Sequence, residues 1–450
     1  MSRNLVFVCG MVVGVAAVFL SAGRVEAIPA FARTYNTECK TCHTIVPERN
    51  EFGQAFEKNA FMWPGGKRSV PKPDSVEKKA MDVNKDALFI SGIPAQFPVS
   101  LLGEIEATYN KDNSPNIDFF SSMAIEVFTA GAFQDKAGWW GEFAVEKEGD
   151  EPADTALGEL NVKFRHPFDV PVFIKVGRLK PTLSLWKGNN MPMAKEFAYI
   201  NDQVGRVPES IANDGSLKED DRASYEDAMA DRMFVMIDEK NGVELSSLFG
   251  TSFLFGAVGV VRARNGNNND TFGHLSVRLF GTDFLGKEPA VSLTTDSITD
   301  FLTVTLGGYG YFGSWQSPEN TLAGIYDNDY SRAGVEAEVM VKALRVRLGT
   351  SWGDDDNLYG DAITIDSRSY MGQAEYLVGS KVIVAGRYEN LRQDLQGGSD
   401  QVKNIWAPSI TCLIFENIKL MAEYVHTDIE ERGSEATTEQ EMVVTVVFIF

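Results

Sequence analysis

The chain has 450 residues, 44% of them apolar, and a formal net charge of -21 at pH 7. That length is ample for a large fold, and so acidic a surface repels phosphate, which argues against a nucleic-acid binder. Four cysteines, one of them in the leader and two in a single motif, make no disulfide framework.

The N-terminus reads as a secretory signal, residues 1–27. Arg3 supplies the positive end, Leu5 to Ala22 the apolar stretch, and Val25-Glu26-Ala27 the small residues before cleavage. Next comes a segment over 28–94, built on Cys39-Lys40-Thr41-Cys42-His43. Cys-x-x-Cys-His is the attachment sequence of a c-type haem. Two thiols at this spacing reach the two vinyl groups from one short turn, and His43 is then set under the iron as the proximal ligand. A zinc site needs two further ligands, yet downstream the next histidine is His166 and the next cysteine Cys412. A thioredoxin-type pair would open a helix in a βαβ unit, and no such pattern follows. The motif therefore predicts one covalent haem c on Cys39 and Cys42.

Pro47-Glu48-Arg49-Asn50 opens a helical pattern in which Phe52, Phe56 and Ala60 recur at i, i+4 and i+8. Phe52 and Phe56 are expected to pack on the haem. Pro64-Gly65-Gly66 and Pro71-Lys72-Pro73 stop the helix and begin a linker. A unit of about 65 residues is too small for a good core of its own, so the haem or docking on the rest of the chain must stabilise it. Met62 is the candidate sixth iron ligand, with Met81, Met191 and Met193 as competitors. His166, His274 and His426 are expected at the rim or the surface.

From Pro98 onward, apolar and polar residues alternate in runs of about ten. Ala337, Val339 and Val341 share one face against Glu336, Glu338 and Lys342; Leu344, Val346 and Leu348 stand against Arg345 and Arg347. Charges of both signs line one face of run after run, with no helices to cover the other. The pattern predicts sixteen strands, near 98–109, 121–133, 138–148, 157–166, 172–180, 241–248, 252–264, 273–284, 302–313, 331–342, 344–354, 367–378, 381–392, 404–415, 417–428 and 438–450. Connections after the second, sixth, tenth, twelfth and fourteenth are tight, and those after odd strands are long and polar, as in outer-membrane barrels. The expected fold is mainly β: a sixteen-stranded antiparallel barrel over 95–450, in the bacterial outer membrane, its ends on the periplasmic side and the haem segment plugging its lumen beside Arg345 or Arg347. The connection 285–301 is long for a periplasmic turn. The longest connection, about 181 to 240, is expected to fold into the lumen. Acidic runs at Glu148 to Asp154, Glu219 to Asp231, Asp354 to Asp356 and Glu430 to Glu441 fall in predicted outer loops.

Phe31-Ala32-Arg33, Cys39-x-x-Cys42-His43, Pro47 and Phe52-Gly53-x-x-Phe56 together resemble the N-terminal signature of the fused cytochrome–porin family, whose best-known members are outer-membrane iron oxidases. The match covers about 30 residues. Thr34-Tyr35-Asn36 and Asn59-Ala60-Phe61 depart from the family's usual residues. The resemblance implies oxidation of extracellular Fe(II), an iron:cytochrome c oxidoreductase reaction, with the electron passed to a periplasmic c-type cytochrome. Two other readings stay open: a conduit for another metal or a sulfur donor, and a solute porin whose haem segment is only a plug.

Overall fold

The computed structural model describes residues 30–37 (36 excepted), 41–45, 48–63, 98–111, 116–133, 136–149, 152–186, 193, 194, 198, 239–249, 253–263, 268–281, 283–284, 302–316, 327–357, 364–395, 400–415, 417–431 and 435–449. The predicted leader and linker, Cys39, Met81, Met191 and the acidic run 219–231 lie outside them.

Two short helices and a ribbon come first: α1 (Ala30–Tyr35), β1 (His43–Ile45), β2 (Glu48–Arg49) and α2 (Glu51–Lys58). Sixteen long strands follow: β3 (Val99–Asn110), β4 (Ile117–Phe133), β5 (Ala137–Glu148), β6 (Asp154–Arg165), β7 (Phe173–Leu179), β8 (Lys240–Phe249), β9 (Leu254–Arg262), β10 (Asn269–Arg278), β11 (Leu302–Gln316), β12 (Asp327–Val341), β13 (Leu344–Asp355), β14 (Ile365–Val378), β15 (Val382–Leu395), β16 (Gln401–Phe415), β17 (Ile418–Glu431) and β18 (Thr437–Ile449). Each pairs antiparallel with its chain neighbours, and β18 pairs with β3, from Ile449 opposite Leu102 to Glu441 opposite Asn110, closing the barrel. All sixteen predicted strands are present.

Closure leaves no free edge, and the strands' backbone donors and acceptors pair with neighbouring strands except where the register shifts, at Glu106/Ala107, Gly141/Phe143 and Leu413/Phe415. The predicted faces hold. Leu160, Val258, Leu275, Val335, Leu348 and Val384 are exposed on the outside, while Glu338, Arg347, Gln373, Glu389, Thr411 and Glu423 are buried within. An apolar outside around a charged inside is the arrangement of a barrel set in lipid. Among the described residues no helix is long and apolar enough to cross a membrane.

Tight connections join β4 to β5, β8 to β9, β12 to β13, β14 to β15 and β16 to β17. The same rim carries a 3-10 turn, Pro167–Asp169, between β6 and β7. It also carries both barrel ends, since Val99 pairs with Thr129 and Ile449 with Leu102. The predicted acidic loops are partly strand: Asp354 and Asp355 end β13, and Glu430 and Glu431 end β17.

The wall is not of even height. Strands β7 to β10 have 7, 10, 9 and 10 residues, against 15 in β11 and β12. β7 stops at Leu179, opposite Lys240. There the chain leaves the wall and turns inward.

Candidate functional site

The N-terminal segment sits in the lumen, in the half next to the short turns. Its helix α2 begins where Asn50 caps it: the Asn50 side-chain oxygen accepts from Gly53 N at 2.9 Å. The sequence pattern placed the helix start at Pro47. Instead Glu48 and Arg49 pair back on His43 and Ile45 as a ribbon, and the helix waits for its cap. It ends at Lys58 with Asn59 as C-cap.

The motif is built on this turn. Asn50 N donates to the Cys42 carbonyl at 2.9 Å, and the Asn50 side-chain amide donates to the Thr41 carbonyl at 3.1 Å. A Cβ at Gly53 would overlap the Cys42 carbonyl oxygen. Glycine is thus what lets the helix lie on the motif. Cys42 and His43 are half-buried, and burial pushes the Cys42 thiol up to about 12. His43 opens β1, paired with Arg49.

Phe52 and Phe56 are buried. They belong to a group of six rings. Phe31 lies 5.0 Å from Phe56 and 5.3 Å from Phe61, Tyr35 lies 5.5 Å from Phe56, and Trp63 lies 4.9 Å from Phe52. Offset and edge contacts of this kind add to the area that they bury. Phe61 also stacks on Trp140 of β5 at 5.6 Å. Met62 is buried with Ala60 and Phe173 of β7, and its sulfur lies 3.7 Å from Arg165 Nη1 of β6.

Polar contacts tie the segment to the wall all round. Glu48, 1% exposed, accepts from Arg345 Nη1 and from Arg347 Nη2, the latter at 2.6 Å. Burial works against the Glu48 charge, but the two guanidinium groups hold its carboxyl well below the usual range, at about 2. Arg347 also meets Glu375, and its Nε meets Glu338 at 3.1 Å. Gln54 donates to Glu338 at 3.0 Å and accepts from Arg278 at 2.7 Å. On the far side Lys163 donates to the Lys58 carbonyl at 2.9 Å, and Ala30 N donates to Ser100 Oγ at 2.8 Å. Burial, with Arg278, Arg49 and Lys163 nearby, brings the Lys58 ammonium down to about 7, against the pull of Glu57. Both arginines named from the sequence, Arg345 and Arg347, therefore line the plug.

A second chain segment enters the lumen, from the long connection after β7. Thr182 N donates to Glu244 of β8 at 3.0 Å. The Leu183 carbonyl accepts from His274 Nδ1 of β10 at 2.5 Å. Ser184 Oγ and Leu185 N donate to Glu336 of β12 at 2.7 and 2.6 Å. Ala194 N donates to Glu423 of β17 at 2.7 Å. The described parts of this strap, 181–186 and 193–194, thus bond to strands from β8 round to β17. Met193 joins Ile45 of the plug in one buried cluster with Ile383, Ala385 and Ala407 of the wall. His274 was expected at the rim or surface. It is 5% exposed, on the inward face of β10, where it holds the strap. Its inward phase with Ser276 was legible in the alternation, and the inward course of the loop was expected; that Leu183 of the loop would meet His274 was not legible.

No protein-family model matches the chain, and no curated protein does. Solved structures do. OmpT, an outer membrane protein of Vibrio cholerae, has 12% identity over 78% of this chain and 99% of that chain, with a TM-score of 0.49. The outer membrane channel DcaP of Acinetobacter baumannii has 10% identity over 78% and 97%, with a TM-score of 0.47. An anion-selective porin from Comamonas acidovorans has 11% identity over 78% and 99%, with a TM-score of 0.46.

Proposed function

We propose that the chain is a porin-type barrel of the bacterial outer membrane whose plug carries one covalent haem c, and that it passes electrons rather than solutes between the outside and the periplasm. The observation that supports this best is the lumen position of the Cys42–His43 end of the motif, fixed by Glu48 on Arg345 and Arg347. The residues present fit the group. A thiol and an imidazole follow one another on a turn pinned by Asn50, a helix lies close because Gly53 has no Cβ, and aromatic rings stand beside it. Cys39 and Cys42 would hold the haem and His43 would ligate its iron; Phe52 and Phe56 would keep water from it. When bound, the haem supplies a reversible one-electron couple. Arg345 and Arg347 hold the segment that carries it. By the resemblance, extracellular Fe(II) is the donor and a periplasmic c-type cytochrome the acceptor. Stopped-flow mixing of the purified holoprotein with Fe(II) tests the reading: the haem spectrum should turn to that of the reduced form. A spectrum that stays oxidised removes iron as donor.

A second reading, a solute porin with the segment as a plug, is favoured by the closed sixteen-strand wall and its charged inner face. Solute flux in liposomes separates the two: a porin passes sugars and ions, and a seated plug passes almost none.

A further inference from the structure

Resting on the haem reading above, we propose that the sixth ligand of the haem iron is Met193 of the lumen strap, not Met62 of the plug. Met193 is 5% exposed and shares one buried cluster with Ile45, two residues beyond His43, and with Ile383 and Ala385 of β15 and Ala407 of β16. Its neighbour Ala194 is bonded to Glu423 of β17, which fixes the strap at this side of the lumen.

Met62 stands elsewhere. It packs on Phe173 of β7 and lies against Arg165 of β6. In the ring order, β7 and β15 are eight strands apart in sixteen, which is diametrically opposite. Sixteen strands about 4.8 Å apart, tilted by about 40°, make a ring roughly 30 Å across. Ile45 and Met62 thus lean on opposite walls. Both iron ligands must reach one iron, so the sulfur that lies in the same buried cluster as the ribbon of His43 is the better placed one. Met340 also faces this region, but its sulfur accepts from Arg345 Nη2 at 3.0 Å. Ligation by the strap has a consequence for the cofactor. A methionine opposite histidine raises the haem potential, so the potential is high only while plug and strap are seated together.

The test compares Met193→Leu with Met62→Leu in the full-length holoprotein. Leucine keeps the volume and apolar packing and removes only the thioether. The ferric Met193→Leu protein is expected to lose the weak sulfur-to-iron charge-transfer band at the red end of the spectrum and to show a lowered midpoint potential. Met62→Leu is expected to keep both. Met193→His should give a low-spin spectrum of the bis-imidazole type, which a merely structural role for Met193 would not produce. A band that survives Met193→Leu, or one lost with Met62→Leu, overturns the assignment. Haem staining after denaturing electrophoresis separates this from the reading beneath it. Stain present with the band unchanged sinks only the ligand; no stain in the unaltered protein sinks the haem itself, and the ligand with it.

Discussion

Glu48 holds the plug to two arginines of the wall, and Glu48→Ala should loosen it. The side chain is 1% exposed and accepts charged hydrogen bonds from Arg345 and Arg347. Each such bond contributes about 1.5–3 kcal/mol. Breaking a buried pair costs more when a charge is left alone, about 3–5 kcal/mol. Here that extra penalty is absent, because Glu338 and Glu375 remain beside Arg347. The lower end applies, about 3 kcal/mol, which is roughly a hundredfold change in the ratio of seated to unseated plug at 1.4 kcal/mol per factor of ten. Conductance in planar bilayers reads this ratio, as does labelling of a cysteine placed at Gln54. The control is Glu57→Ala. Glu57 pairs with Arg49 inside the plug and is partly exposed, so its loss should cost no more than about 1 kcal/mol and should not unseat the segment. Equal conductance in Glu48→Ala and the unaltered protein, or equal effects of the two substitutions, would refute the reasoning.

The same carboxyl sets an acid limit. Its value in the folded protein lies below that of a free glutamate, so its contribution is complete above about pH 4.3 and declines as the pH falls towards 2; conductance that rises already at pH 6 would contradict this. Gly53→Val should disrupt the seat of α2 on the motif, because its side chain meets the Cys42 carbonyl, at a cost of about 1–3 kcal/mol; unchanged hydrogen exchange in α2 would count against it. Cys39→Ala with Cys42→Ala should leave an inserted barrel without covalent haem, since the barrel closes through β3 to β18 and Cys42 lies outside those strands; haem stain persisting in the double variant would sink the motif reading. Labelling of intact cells should reach a cysteine placed at Asp356 and spare one at Gly379, on the short-turn rim; the reverse pattern would invert the orientation.

The barrel was legible because strand residues alternate with a period of two and this lumen is charged. Glu336, Glu338, Arg345 and Arg347 announce an inner face, and Leu344, Leu348 and Val335 an outer one. The plug was legible as a motif but not as a shape. β1 and β2 have three and two residues, too few to show any period, and their pairing depends on Asn50 and on the wall. Glu48 therefore passed for the first turn of a helix, although its partners are nearly 300 residues away. His274 passed for a rim residue for the same reason: its acceptor, Leu183, comes from a loop whose inward path was foreseen only in outline. Met62 was named on closeness along the chain; its burial against Phe173 of β7, far along the sequence, could not be read there.

The seam between β3 and β18 also orders events in time. The barrel cannot close until residues 437–449 have been made, whereas the plug is made before any wall strand. Its partners Lys163 and Arg278 come from separate hairpins, and Glu338 and Arg345 from a third, β12–β13; these converge on one centre only when the sheet curls. The segment therefore has no seat while the sheet is open. Ring closure joins the most distant strands in the chain, the slowest kind of contact to form. A segment that bonds to several hairpins at once favours the curled sheet over the flat one.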